Sequence, residues 1–460
     1  MRSKEFDLTE GKILKKLMVV ALPMMAANLF QMLYNFIDMF LLGRISGDAV
    51  AATGSAGMYL WLSMAFVLFG SMGAEIGVSQ SLGQKKEVLA RRYSQNATLI
   101  ALILGVVTGG LTIIFSRQLI GFLQIREAHV VNYAVDYLMI VALSFPLTFI
   151  NFSINGAYNG AGNSRFPFYL KASGLIINII LSPLFIFVFN WGVHGAAWAT
   201  VASQALVSLA FLYVIKYHKS RPFEEYRYRD ILKFEGRFVS QIFRWCLPVS
   251  IESLCFTILT MVISRFLAAF GAGAIATYSV GVQIESISWL VGGGFAAALT
   301  AYVGQNYGAQ KWSRIRQGFK ISALLMSAYG LAVALMLFFG ARPLFALFIR
   351  EPEIISLGVT YLRIFAFTQA IGCLEAIAAG AFRGVGKTNP PSIVSVIFNS
   401  LRVVFAYFLS QTALGLNGIW LGMAIANTLR GLVLMTWYLM FASKQPKNDV
   451  EVVKMQVGEA

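Results

Sequence analysis

Charge is what this chain of 460 residues has least of: 13% of its residues are Asp, Glu, Lys or Arg, against 58% hydrophobic. A soluble domain carries about 25% charged residues and 45–50% apolar ones. So little charged surface cannot cover so much apolar side chain in water, which excludes a soluble enzyme and a disordered chain. Cysteine is nearly absent. Cys246, Cys255 and Cys373 sit within apolar stretches and form no spacing pattern, so neither a disulfide scaffold nor a zinc site is expected. Three histidines are too few and too scattered for metal chemistry, and no metal or cofactor is expected. No HExxH and no Ser/His arrangement occurs, so an enzyme is not expected either.

What the chain has is long apolar runs. Twelve segments of about 20 residues or more read as membrane-spanning helices: 14–42, 52–82, 94–115, 132–158, 166–190, 193–215, 241–268, 275–304, 318–340, 358–382, 391–413 and 417–442. The first is too long for a cleaved leader and contains an aspartate. The basic residues then set the expected orientation. The termini and the loops after even-numbered spans hold 28 Lys and Arg, and the opposite side holds 7. That bias puts both termini in the cytoplasm. It also gives the net charge of +16 a topological origin, so a nucleic-acid partner is not supported.

The second half echoes the first at an offset of 223–225 residues. Pro23 recurs as Pro248, and Val78-x-Gln80-x-x-Gly83 as Val303-x-Gln305-x-x-Gly308. Gly156-x-x-x-Gly160-x-Gly162 recurs as Gly380-x-x-x-Gly384-x-Gly386, Pro167 as Pro391, and Gly192-x-x-Gly195 as Gly415-x-x-Gly418. Six spans per half give both repeats the same orientation, hence a pseudo-two-fold axis along the membrane normal and a cavity between two lobes. The fold expected is an all-α membrane protein of twelve transmembrane helices in two pseudo-symmetric six-helix bundles. Residues 1–215 form the N-terminal lobe, 216–240 a basic cytoplasmic linker, and 241–460 the C-terminal lobe with a cytoplasmic tail. Such duplicated membrane proteins are most often secondary transporters.

Ionisable groups within hydrocarbon cost about 3 kcal/mol each on insertion scales, so each needs a reason. The mid-span ones are Asp38, Glu252, Glu285, Glu375, Arg402 and Arg430. In the first span Asn28, Gln31, Asn35 and Asp38 fall on one face, flanked by Tyr34. The fourth span aligns Ser144, Thr148, Asn151, Asn155 and Asn159; the fifth adds Asn178 and Ser182, and the sixth Thr200, Ser203 and Gln204. These faces can converge on one wet pocket around Asp38. Interhelical hydrogen bonding explains the amides and hydroxyls equally well. It does not explain a carboxylate with no basic partner in its lobe's interior. In the C-terminal lobe three glutamates face two arginines, so at least one carboxylate is expected to remain unpaired.

A carboxyl group without a cationic partner in a low-dielectric pocket holds its proton more tightly than in water. One such site can hold either a proton or an organic cation, the minimum that drug/proton antiport requires; sodium could take the proton's part. Eight of the 17 methionines lie in the first two spans, among them Met32 and Met64, and those that line a cavity suit a polyspecific lipophilic substrate. Gln31, Met32, Met64, Glu252, Glu285 and Glu375 are the candidate substrate-cavity residues. Pro23 and Pro183 each remove a helical hydrogen bond, and Pro23 is the candidate hinge of the first span.

The Gly156-x-x-x-Gly160-x-Gly162 motif leading into Pro167, Asn178-x-x-x-Ser182-Pro183, and Gly192-Val-x-Gly195-Ala-Ala-x-Ala-Thr200 resemble the multidrug and toxic compound extrusion (MATE) family, over nearly the whole chain. Asp38 makes it similar to the DinF-like prokaryotic branch. The resemblance implies multidrug efflux across a bacterial or archaeal cytoplasmic membrane. The substrates would be cationic amphipathic compounds, exported by a monomer in exchange for inward H⁺ or Na⁺. It matches the family's N-lobe cation site to Asp38, Asn155, Asn178 and Thr200. Ser182 stands where the family commonly has aspartate, which shifts the expectation toward protons. Gly372 likewise replaces an aspartate of the sodium-type branch, three residues before Glu375. The expected function is thus a proton-coupled multidrug antiporter working by alternating access between the lobes. A sodium-coupled antiporter and a lipid-linked-sugar flippase of the same superfamily are the alternatives. The flippase would need a cationic cavity, whereas the four mid-span acids outnumber the two arginines.

Overall fold

The computed structural model describes residues 6–125, 127–217, 223 and 233–446, and the side chains of all of these except 34–36 and 216–217. Among them there is helix and no strand. In chain order the helices are α1 Ile13–Gly43, α2 Gly47–Gly83, α3 Glu87–Ile114, α4 Ser116–Phe122, α5 Ala128–Ala142, α6 Phe145–Gly160, α7 Arg165–Pro183 and α8 Gly192–Tyr217. The second half runs α9 Gly236–Ala268, α10 Ala272–Gly308, α11 Trp312–Phe339, α12 Ala341–Ala346, α13 Pro352–Ala366, α14 Gln369–Gly384, α15 Asn389–Ser410 and α16 Leu416–Ser443. Ten of these are long and apolar enough to cross a membrane. The pairs α5/α6 and α13/α14, bent by 49° and 48°, bring the number to twelve when each counts as one span. Lipid offers no hydrogen bonds, so a helix that satisfies its own backbone is the form these segments take.

The fourth and tenth spans are broken where unbroken helices were expected. At each break a hydroxyl turns back on its own chain: Ser144 Oγ donates to the Val141 carbonyl at 2.7 Å, and Thr368 Oγ1 to the Phe365 carbonyl at 2.8 Å. These positions are equivalents in the repeat. Pro146 opens α6, whereas the matching residue of α14 is Ala370, so the hydroxyl bond is the feature that both breaks share. A glycine seats each one. A Cβ on Gly105 of α3 would stand 2.7 Å from the Pro146 Cα, and one on Gly330 of α11 would stand 2.6 Å from the Ala370 Cα. The fifth span also departs from a plain helix. Past Pro183, which has no N–H to give, the chain continues as a π-helical stretch Leu184–Val188.

The repeated glycine motif has two jobs. Gly156 and Gly160 of α6 lie against the backbone of α2, where a Cβ would come within 2.0 Å of the Ser71 carbonyl and 2.5 Å of the Glu75 carbonyl. Gly380 and Gly384 of α14 meet the Ala296 and Thr300 carbonyls of α10 in the same way. Without a hydrophobic force between helices in lipid, such close backbone approach is a main source of cohesion. The third glycine of each motif, Gly162 (φ +83) and Gly386 (φ +79), ends the helix in the left-handed region that a side chain resists.

The chain divides into two compact units. The first has Leu22–Ser250 as its body; the second takes Leu8–Ala21 together with the chain from Ile251 onward. The division therefore falls inside α1 and inside α9, not in the 216–240 segment, of which only 216–217, 223 and 233–240 are described. Side chains account for it. Ile242, Trp245 and Cys246 of α9 belong to the first unit's core beside Phe69 and Ala74. In the second unit, Leu8 is held through its N–H by Gln305 Oε1 at 3.0 Å and through its carbonyl by Asn306 Nδ2 at 3.2 Å.

Gly160→Ala should therefore lower the thermal unfolding midpoint in detergent by several degrees, since overpacking costs about 1–3 kcal/mol. Gly110→Ala, with nothing within 4 Å of its added Cβ, should leave the midpoint unchanged. Equal behaviour of the two would contradict the close-approach account.

Candidate functional site

Asp38 lies on α1, partly buried, with its Oδ1 shut away from solvent and without a hydrogen-bond partner among the described residues. Among the described residues it makes no ion pair. Its expected companions Tyr34 and Asn35 lie outside the described side chains. Gln31 is exposed and Met32 partly buried on the same helix.

The other candidate side chains of the first unit occupy several places. Asn178 and Ser182 come together one turn apart on α7, both buried, with Ser182 Oγ donating to Asn178 Oδ1 at 3.0 Å. Thr200 donates to the Ala196 carbonyl of its own helix at 3.2 Å. Asn155 lines a small cavity with Pro23 and Asn28, the last a member of the polar stripe of α1. Pro23 itself sits within a helix that runs unbroken from Ile13 to Gly43. Met64 packs against an apolar cluster that includes Phe145 and Phe149. Part of the polar stripe on α6 holds helices together: Asn151 Nδ2 donates to Gln204 Oε1 at 3.1 Å, and Ser208 Oγ to Asn151 Oδ1 at 2.9 Å.

In the second unit the charges sort themselves. Arg430 Nε stands 2.8 Å from Glu375 Oε1, a charge contact whose N–H is not aimed at the oxygen, while its NH1 donates to Asn399 Oδ1 at 3.1 Å. Glu252 accepts from Ser392 Oγ at 2.9 Å and lies 3.9 Å from Arg383, a residue expected in a cytoplasmic loop. Arg402, 4% exposed, pairs with no carboxylate among the described residues; it donates to Thr260 Oγ1 at 2.9 Å and stacks 5.2 Å from the Phe256 ring centroid. Glu285 is thus the glutamate left over. Its Oε1 is buried without a hydrogen-bond partner, and the polar side chains facing it are Tyr361 and Gln369. Charge counting foresaw one unpaired acid but not which. Arg383 was hidden by its place at a span's end, and Tyr361 and Gln369 carry no sequence signal beyond their type.

Two further pairs went unnoticed in the sequence. His129 Nε2 meets Asp48 Oδ2 at 2.8 Å, and His194 Nε2 meets Asp136 Oδ2 at 3.0 Å, with Tyr133 edge-on to both imidazoles. They link the start of α2 to the start of α5, and the middle of α5 to the start of α8. Among the described residues no group of three or more His, Cys, Asp or Glu is arranged to hold a metal.

Comparison with known proteins adds the relationship. The MatE family model matches twice, over residues 23–184 and 248–408, one match on each half of the repeat. The probable multidrug resistance protein NorM of Thermotoga maritima is 28% identical, over 93% of this chain and 92% of its own length. The probable multidrug resistance protein YoeA of Bacillus subtilis is 24% identical, over 95% of this chain and 96% of its own. A solved structure of a multidrug resistance MATE family transporter of the MOP superfamily, in an outward-facing conformation, superposes with a TM-score of 0.91 at 23% identity. It covers 97% of this chain and 100% of that one, a likeness of fold.

The Glu375–Arg430 contact sets up a direct test of how the second unit tolerates its charges. Glu375→Gln leaves a partly buried guanidinium without its counter-charge and should cost about 1–3 kcal/mol in a detergent unfolding assay; the double variant E375L/R430M should recover most of that loss. A single variant as stable as the parent would show that the pair contributes nothing.

Proposed function

The chain belongs to the MATE family, and from that premise we propose that it is a proton-coupled multidrug antiporter exporting cationic, lipophilic compounds. The observation that carries this reading is the Asp38 carboxylate: one oxygen buried without a hydrogen-bond donor, and no ion-pair partner among the described residues. A bare carboxylate in that setting is costly, and a proton or a cationic substrate removes the cost equally well. The two occupants therefore exclude each other, and mutual exclusion at one site, with access from alternate sides, is sufficient for exchange. Proton entry releases the drug, and proton loss readies the site for the next one. The relatives' names support the multidrug part, and the 28-to-7 distribution of basic residues supports cytoplasmic termini in a cytoplasmic membrane.

Asn155, Asn178, Ser182 and Thr200, with Tyr34 and Asn35, are the groups we assign to the surroundings of Asp38. Glu285 is a second acid of this kind, in the other unit and not at the position equivalent to Asp38: one oxygen buried without a hydrogen-bond partner and no basic partner among the described residues, faced by a phenol and an amide that can serve either of its protonation states.

Purified protein in liposomes, with pH and sodium gradients imposed separately, tests the assignment. The pH gradient alone should drive accumulation of a lipophilic cation, and Asp38→Asn should lower that flux at least 10-fold without changing the unfolding midpoint. Undiminished flux in the variant would falsify the role of Asp38, and flux driven only by sodium would overturn the choice of ion.

A further inference from the structure

Lys171 is the first unit's anomaly. It lies in the second turn of α7, where the sequence counts it with a cytoplasmic loop, yet its side chain lines a cavity of about 60 Å³ enclosed by α1, α6 and α7. Among the described residues no carboxylate lies within ion-pair distance of it. Its Nζ stands 4.4 Å from the Phe152 ring centroid, so its partner is an aromatic face. Asn28, Asn155, Asn159 and Ser164 also line the cavity, and Pro23 and Met24 of α1 form an apolar wall. No acidic residue lines it.

Three features give this space a positive, donor-rich character. The ammonium supplies a full charge. Ser164, Phe168 and Lys171 lie on the face of the first turns of α7, a helix of 19 residues whose N-terminal dipole adds to that charge. The side-chain amides of Asn155 and Asn159 face an occupant as well. Asn159 is 8% exposed and its Oδ1 is buried with no hydrogen-bond partner, so the cavity also has an acceptor to be met by a water that enters with the occupant. The centres of water-sized spheres have about 60 Å³ open to them here, several times the roughly 10–15 Å³ that one water needs on that measure, so a small anionic group fits together with a water.

We propose that this cavity binds a compact monoanionic group, either a free halide or the carboxylate of a substrate, with Lys171 as its counter-charge. Such a site lets one transporter accept zwitterionic compounds, whose negative end is neutralised away from Asp38, and it makes a small anion a competitor for them. The proposal stands or falls independently of the coupling ion, since it concerns the cavity at Lys171 alone.

The test uses the purified full-length protein, its Lys171→Met and Lys171→Arg variants, and the salts sodium bromide and sodium formate against sodium sulfate, a larger dianion, at constant ionic strength. Bromide should raise the unfolding midpoint of the parent and of K171R by about 2–4 °C at near-saturating concentration and leave K171M unmoved. Crystals grown in bromide should give an anomalous peak within hydrogen-bond reach of Lys171 Nζ. Formate acting where bromide does not would assign the site to carboxylates; both acting would assign it to small anions in general. Equal responses of the parent and K171M to both salts, or a cavity without an anomalous peak and without a formate response, would overturn the proposal. K171R separates loss of charge from loss of fold, because it keeps the charge.

Discussion

Hydrocarbon neither donates a hydrogen bond nor screens a charge, and nearly every feature of this molecule answers that constraint. Each polar group inside the spans must find its partner within the protein or take one up from outside. Most find one. Asn151 is met by Gln204 and Ser208, Asn178 by Ser182, Arg430 by Glu375 and Asn399, and Glu252 by Ser392 and Arg383. A few do not. Asp38 and Glu285 each bury an oxygen with no hydrogen-bond partner, and Lys171 rests against a ring. Those exceptions are where a transporter has business to do, because a group already satisfied by the protein has no reason to bind anything else.

Duplication gives the same solution twice and shows which parts of it are structural. The glycines of α6 and α14 bring backbone against backbone, and the fourth and tenth spans break at matching points, each beside a hydroxyl turned onto its own chain, at 144 and 368. The charges do not repeat. Asp38 has no equivalent acid in the second half, where residue 263 is an isoleucine, and Glu252, Glu285 and Glu375 correspond to Ala27, Leu60 and Asn151. The helical scaffold is thus repeated while its charges are not.

Much of this was legible in the sequence, for a physical reason: a span must be apolar over its whole length, so hydropathy reveals it, and the repeat of Gly156-x-x-x-Gly160-x-Gly162 marks where helices touch. Breaks within spans were not legible. A serine at 144 or a threonine at 368 is unremarkable until its hydroxyl is seen turned onto the carbonyl three residues back. Residues at span ends misled for a related reason. Lys171 and Arg383 have the composition of a loop and the position of a site, since a long basic side chain can reach from the edge into the interior. Counting acids against arginines predicted an unpaired glutamate. It could not foresee that Arg402 would choose Thr260 and Phe256, leaving Glu285 as the one.

If a proton and a cationic substrate compete for one buried carboxylate, substrate binding must expel the proton. A lipophilic cation added to weakly buffered, detergent-solubilised protein near neutral pH, with a pH indicator followed, should release protons to a level that saturates with the substrate, and the Asp38→Asn variant should release none. Saturable binding of the cation with no proton released, at any pH between about 5 and 8, would contradict that competition.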